Sequence, residues 1–529
     1  MVLDNSFAAG ACVFVLVFGI IAALRVVTNP RPRTPYPPGP PGDPLLGNAR
    51  QIPSHHMHKR FAEWSTMYRS DIVHLRVLGQ SMIVLNSYKA VTALLEQRSS
   101  IYSDRPRMTM TAELMGFEWA TIFTKYGSQF KKNRKLLHHA LNPVATRAYG
   151  PMQEHWNLRY LLDVLRSPNH VEDHVRRLGS VIALEVAYGR GVATTDDNTF
   201  VTLAQEAMNL FSVGVTGGWL VDFLPSLKHV PWWFPGAHFK RIARKARPIA
   251  TRMMDLPFDT VKASIAAGVM DTSFTHNLLS EKGAITRDTD EEDLIKKNAA
   301  TLFGAGADTM VSVFMSFVLA MTLHPEIQRK AQEEIDAVIG RDRLPEMRDR
   351  KDLPYVDCIV KEVLRWNPPG PIGSPRRVME DDIYEGYMIP AGATIIPNVA
   401  LCHDVVEYPN PDAFIPERYE GLHPARDPHA CVFGFGRRIC PGLAFSSATI
   451  YIFVAQMLAT FNIEKALDEV GNEKDPNVHY ISGLISHPSS FDFSVSPRST
   501  SSELLVKSVA ASFSNMHFAK MSAIIPGFI

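Results

Sequence analysis

Cysteine is scarce: five in 529 residues, at positions 12, 358, 402, 431 and 440. The number is odd, and no Cys-x-x-Cys pair occurs. That argues against a disulfide framework and for a reducing compartment. A zinc site wants about four close ligands, and only His429 and Cys431 lie near Cys440. No Asn-x-Ser/Thr acceptor is present, which fits a catalytic body that stays out of the secretory lumen. Surplus charge is also missing. Lys+Arg number 55 against Asp+Glu 54, a net charge of +1, so the sequence points to no nucleic-acid partner. No long linker interrupts the chain after residue 43. With 46% apolar residues, the chain reads as one large domain, although length alone suggests several.

What is present centres on Phe433-Gly434-Phe435-Gly436-Arg437-Arg438-Ile439-Cys440-Pro441-Gly442. Three glycines let the backbone turn tightly and come close to something flat or bulky. Pro441 and the apolar run from Leu443 read as the start of a helix. Cys440 then sits at a helix N-terminus, where unpaired N–H groups favour an anion. Its thiol is expected to have a lowered pKa and to stand as thiolate. A thiolate on a glycine-rich loop is a metal ligand or a nucleophile.

The stretch resembles the haem-binding signature of the cytochrome P450 family, Phe-x-x-Gly-x-Arg-x-Cys-x-Gly. Phe433, Gly436, Arg438, Cys440 and Gly442 fill it. The resemblance implies haem b with Cys440 as axial thiolate, a ligation that favours O–O cleavage, and Arg438 on a haem propionate. It implies a mainly α fold with small β-sheets (α+β), preceded by one N-terminal transmembrane helix.

Other stretches fit the same family. Ala305-Gly306-Ala307-Asp308-Thr309 matches its oxygen-binding helix. Gly306 would leave room for dioxygen, and Asp308 and Thr309 would deliver protons. Asp308 in the middle of an apolar helix also argues against a second membrane span there. The family's Trp-x-x-x-Arg is Phe130 and Arg134 here. Arg134 keeps the propionate role, while Phe130 has no N–H to donate. Arg377 is expected on a propionate too. Glu362 and Arg365, with Arg418 of Pro416-Glu417-Arg418-Tyr419, resemble the family's structural ion-pair network.

Phe7 to Leu24 is an uncharged apolar run of 18 residues, long enough to span a bilayer. Arg25, Arg31 and Arg33 follow it, which favours an uncleaved anchor with a cytoplasmic C-terminal side. The expected order is anchor 1–27, proline-rich hinge 28–42, haem-thiolate domain 43–500, and a tail 501–529. The tail reads as disordered, as a short membrane-seeking helix, or as an artefact of gene assignment. Aromatic residues in 211–236 beside a basic helix suit either a membrane interface or the protein's own core.

By resemblance, the expected function is a monooxygenase of the endoplasmic reticulum membrane, single-pass, with a cytoplasmic catalytic domain. It would insert one atom of O2 into a small apolar organic substrate. No flavin or nicotinamide module is visible, so electrons would come from an NADPH-dependent flavoprotein reductase. Lys131, Lys132, Lys135 and Arg437 are candidates for the docking face. The wider pattern is similar to fungal secondary-metabolite members of the O-methylsterigmatocystin oxidoreductase type. The rival readings are a reductase-independent haem-thiolate isomerase or dehydratase, and a haem sensor without turnover.

Overall fold

The computed structural model describes residues 34–194, 199–281 and 289–511. The expected anchor and most of the tail lie outside the described residues. The described residues gather into two compact units. One comprises those up to Arg107 with Ile372–Leu401 and Phe435–Arg438, and the other holds the remaining described residues. Each is drawn from several separated stretches, so no linker marks the division.

The first unit holds helix α1 (Met57–Tyr68) and six strands: β1 (Ile72–Val77), β2 (Gln80–Leu85), β3 (Arg376–Arg377), β4 (Asp382–Tyr384), β5 (Tyr387–Ile389) and β6 (Thr394–Pro397). Four of them form a sheet in the order β1-β2-β6-β3, with β2 and β6 parallel. The hairpin expected around Gly79 is present. Leu78 and Gly79 have φ of 49° and 82°, the left-handed pair of a two-residue turn that follows strand twist. Glu385 and Gly386 repeat it between β4 and β5. The sheet packs Val73, Leu75, Val84 and Ile396 against Phe61 and Trp64 of α1.

The second unit is mostly helical: α2 (Ser128–Leu141), α3 (Gly150–Arg166), α4 (Val171–Tyr188), α5 (Thr199–Thr216), α6 (His238–Ala266), α7 (Thr289–Leu323), α8 (Pro325–Val338), α9 (Pro354–Trp366) and α10 (Leu443–Thr460). Strands β7 (Phe461–Lys465) and β10 (Phe493–Pro497) pair, as do β8 (Tyr480–Ile481) and β9 (His487–Pro488). α7 has 35 residues, roughly 50 Å at the usual rise. Three acids, Asp290, Glu291 and Glu292, open it, the charge a helix N-terminus favours. α7 and α10 are apolar enough to cross a membrane, yet both are mostly buried in the protein. The core-helix reading of α7 therefore stands.

A last helix, α11, covers 500–511. Val506 is fully buried, and Leu505, Val509 and Ala510 pack on the main core. The start of the expected tail is thus part of the second unit. The aromatic segment divides by burial. Phe211 is buried, whereas Trp232, Trp233 and Phe234 are exposed, Trp233 at 65%.

Candidate active site

The loop 433–442 is shaped by contacts that exclude side chains. Gly436 has φ of 51°, and a Cβ there would lie 2.2 Å from the Leu95 carbonyl oxygen. Only glycine fits. The Cys440 N–H donates to the Phe433 carbonyl at 2.8 Å, and Phe433 stacks on His429. Helix α10 begins at Leu443 with Gly442 as its cap, so Cys440 stands just ahead of it. A methyl at Gly442 would lie 3.8 Å from Cys440 Sγ, ordinary contact.

Cys440 is half-buried. The expected lowering of its pKa is not found. Burial pushes the thiol up, outweighing the Gly442 N–H and the Arg134 charge that draw it down. Desolvation of a thiolate exceeds what one N–H and one partly buried cation return. A metal ion, by contrast, deprotonates a coordinating thiol outright. Arg134 on α2 donates to the Ile439 carbonyl at 2.7 Å. Phe130 is buried against Tyr126, a packing role that needs no N–H.

The first unit gathers three guanidinium groups. Arg105 and Arg376 are buried, and Arg438 is within electrostatic reach of both. Arg105 donates to the carbonyls of Ser374 and Pro375, at 2.8 and 2.6 Å. Its Nε is buried with no partner. Arg376 donates to the Phe435 carbonyl at 2.6 Å, and Arg438 Nε to that of Ser103 at 2.9 Å. Burial, then the charge of Arg438, depresses both Arg105 and Arg376, the latter to about 9. Clustered buried cations of this kind are costly without an anion.

Arg377 is not among them. It is exposed and pairs with Asp104 at 3.4 Å. On strand β3 successive side chains point to opposite faces, so the inward arginine is Arg376 and the expectation for Arg377 is corrected by one residue. Sequence reading missed Arg105 altogether. Its partners lie about 270 residues away, and nothing in Ser103-Asp104-Arg105-Pro106 announces them.

On α7, Thr309 donates to the Ala305 carbonyl at 2.8 Å, and Asp308 lies 3.2 Å from His487 of β9. Gly306 departs from expectation. A methyl there would come 3.0 Å from the Ala183 Cβ, and one at Gly179 would come 3.0 Å from the Ala307 carbonyl oxygen. These glycines let α4 and α7 cross closely. Gly306 therefore faces α4 and is a packing residue, which corrects the expectation that it makes room for dioxygen.

The ion-pair network is assembled in full. Arg365 donates twice to Glu362, both bonds at 2.8 Å, and Arg418 meets Glu362 at 3.1 Å. Arg365 also reaches the carbonyls of Cys402, Pro411 and Ala413. Glu362 accepts from the Ile415 N–H at 2.8 Å. All three side chains are buried, and the network ties α9 to the chain that leads into the cysteine loop.

The cysteine loop, the Asp-Thr pair on a long core helix and this network are features of the haem-thiolate oxygenases. The Cytochrome P450 family profile matches residues 37–495, and the chain belongs to that family. It is 41% identical over 483 residues to cytochrome P450 monooxygenase claR of Ampulloclitocybe clavipes, covering 90% of this chain and 89% of the relative. Cytochrome P450 monooxygenase 136 of Postia placenta is 39% identical over 479 residues, 88% and 90% of the two chains. A cytochrome P450 monooxygenase of Armillaria gallica is 37% identical over 497 residues, 93% and 97%. The protein is thus a monooxygenase of the oxidoreductase class, with haem iron bound through a cysteine thiolate. The residues fit that cofactor. Arg105 Nε, buried without a partner, and its neighbouring guanidiniums suit the carboxylates of a propionate-bearing ring.

Proposed function

We propose that Cys440 is the haem ligand and that the protein oxygenates a small apolar molecule of fungal secondary metabolism. The observation that carries this is Cys440, its backbone N–H held by the Phe433 carbonyl and its sulfur facing the Gly442 N–H, in a loop where Gly436 is irreplaceable. Arg105, Arg376 and Arg438 of the first unit are cations for the propionates. When bound, the haem supplies the oxidising chemistry that puts one atom of O2 into substrate and releases the other as water.

The chain's own residues handle position and protons. Thr309 gives its hydroxyl hydrogen to Ala305, yet its oxygen still accepts. Asp308 is the adjacent titratable group and relays protons from solvent.

Electrons come from an NADPH-dependent flavoprotein reductase, docked in part on the exposed Lys131, Lys132 and Lys135 of α2. Residues 1–27 anchor the protein in the endoplasmic reticulum membrane as a single span, with the catalytic body in the cytoplasm. Trp232, Trp233 and Phe234 form a second lipid contact. Arg244 lies over the Trp232 ring at 4.6 Å, an aromatic-basic pairing typical of interfaces.

Turnover with added reductase, NADPH and isotopically labelled O2 tests the reading. Label is expected in the product, with NADPH consumption raised by substrate. Product formed from a peroxide without NADPH would establish the isomerase reading instead.

A further inference from the structure

Asp308 is held by a hairpin. Asp308, Ser312 and Ser316 are spaced four apart, so they share one face of α7, and each meets the β8–β9 hairpin. His487 Nε2 lies 3.2 Å from Asp308 Oδ1. Ser312 donates to the Ser486 carbonyl at 2.5 Å, and the Tyr480 hydroxyl donates to Ser316 at 3.3 Å. From α5, Ser212 accepts from the Leu484 N–H at 3.3 Å. His487 is thereby fixed from two helices.

The other ring nitrogen of His487, Nδ1, is buried and has no partner. In the neutral ring the proton therefore belongs on Nε2, the atom facing Asp308. Asp308 also borders a cavity of about 20 Å³ lined by Arg176, Ser180, Gln205 and Met208. That is room for one water, with Ser180 and Gln205 as polar partners. The charged or titratable groups facing the pair are few. Arg176 comes from α4, itself paired with Glu172 at 2.6 Å, and Tyr480 stands along the hairpin at Ser316. The cavity residues from α5, Ala204, Gln205 and Met208, carry no charge.

We propose that His487 is the positioning residue for Asp308. It orients the carboxylate toward the cavity, so proton delivery through Asp308 depends on the imidazole that holds it. This deepens, and rests on, the reading of Asp308 as a proton relay.

The test uses the full-length holoenzyme with reductase. His487→Leu is expected to lower product per NADPH several-fold and raise hydrogen peroxide. His487→Gln keeps an N–H donor and is expected to restore part of the coupling. It should also return the solvent isotope effect toward the wild-type value. A structural role alone would leave that isotope effect unchanged in both variants. As a readout independent of turnover, unfolding midpoints of His487→Leu, Asp308→Asn and the double variant are expected to be non-additive. A wild-type solvent isotope effect in His487→Leu, or additive midpoints, would overturn the proposal. If Asp308→Asn slows turnover while His487→Leu does not, only the His487 role fails. If Asp308→Asn itself changes neither coupling nor solvent isotope effect, the relay reading fails and takes this one with it.

Discussion

Thr309 gives its only hydroxyl hydrogen to Ala305, the bond any mid-helix threonine forms. Its proposed function therefore depends on its oxygen and on Asp308 beside it. Thr309→Ala is expected to retain haem and accept electrons, yet leak them as hydrogen peroxide. Product formation should fall by about 10²-fold, the lower end of the range for positioned proton transfer. Unchanged coupling would remove Thr309 from the mechanism. The arginines give a second residue-scale test. Arg376→Ala is expected to lose haem on dialysis and Arg377→Ala to keep it, because only Arg376 is buried beside Arg438. Equal retention would contradict the one-residue correction. Two adjacent arginines look alike in a sequence. Which one faces inward depends on where the strand's alternation begins, and β3 is two residues long, too short to show a pattern. Cys440, by contrast, is legible from its glycine and arginine frame alone. Its protonation is not, because desolvation depends on packing.

Among the elements, the network on α9 is half visible in sequence. Glu362 and Arg365 stand three apart on one helical face, but the carbonyls of Cys402, Pro411 and Ala413 that complete it are 37 to 48 residues away. Removing one partner of a buried pair leaves the other uncompensated, at about 3–5 kcal/mol. Glu362→Ala is therefore expected to give little folded holoprotein, read as the yield of haem-loaded protein at a fixed temperature. A normal yield would contradict the burial of the network.

A second element test concerns the segment Thr109–Leu114, pinned by Asp222, which accepts from the Met110 N–H at 2.8 Å. Burial raises the Asp222 carboxyl to about 6, against the pull of the Met110 and Thr109 N–H groups. A raised carboxyl binds more protons folded than unfolded between its usual value and 6. Its contribution to stability is thus greatest at low pH and falls as pH rises through that window. Asp222→Asn keeps an acceptor oxygen and removes the charge. It is expected to be more stable than wild type at pH 7, by up to about 3 kcal/mol, with the curves converging toward pH 4. A pH-independent difference would show that burial does not govern this group.

At the scale of the whole molecule, membrane attachment is expected at two places. Deleting residues 1–27 should shift much of the protein from the membrane pellet to the supernatant. Replacing Trp232, Trp233 and Phe234 with serine in that deletion should shift most of the remainder. No shift on the first deletion would refute the anchor. The mainly α architecture and the haem loop are legible in the sequence because motif spacing and apolar length survive in one dimension. The two-unit organisation is not, since each unit is assembled from stretches hundreds of residues apart.

The proposed function rests on Cys440 as the ligand of the haem iron. The reduced, carbon-monoxide-bound spectrum of the full-length protein measures it. Wild type is expected to show the red-shifted Soret band of a thiolate ligand, and Cys440→Ala to lack it while Cys431→Ala keeps it. A red-shifted band that persists in Cys440→Ala would contradict the account.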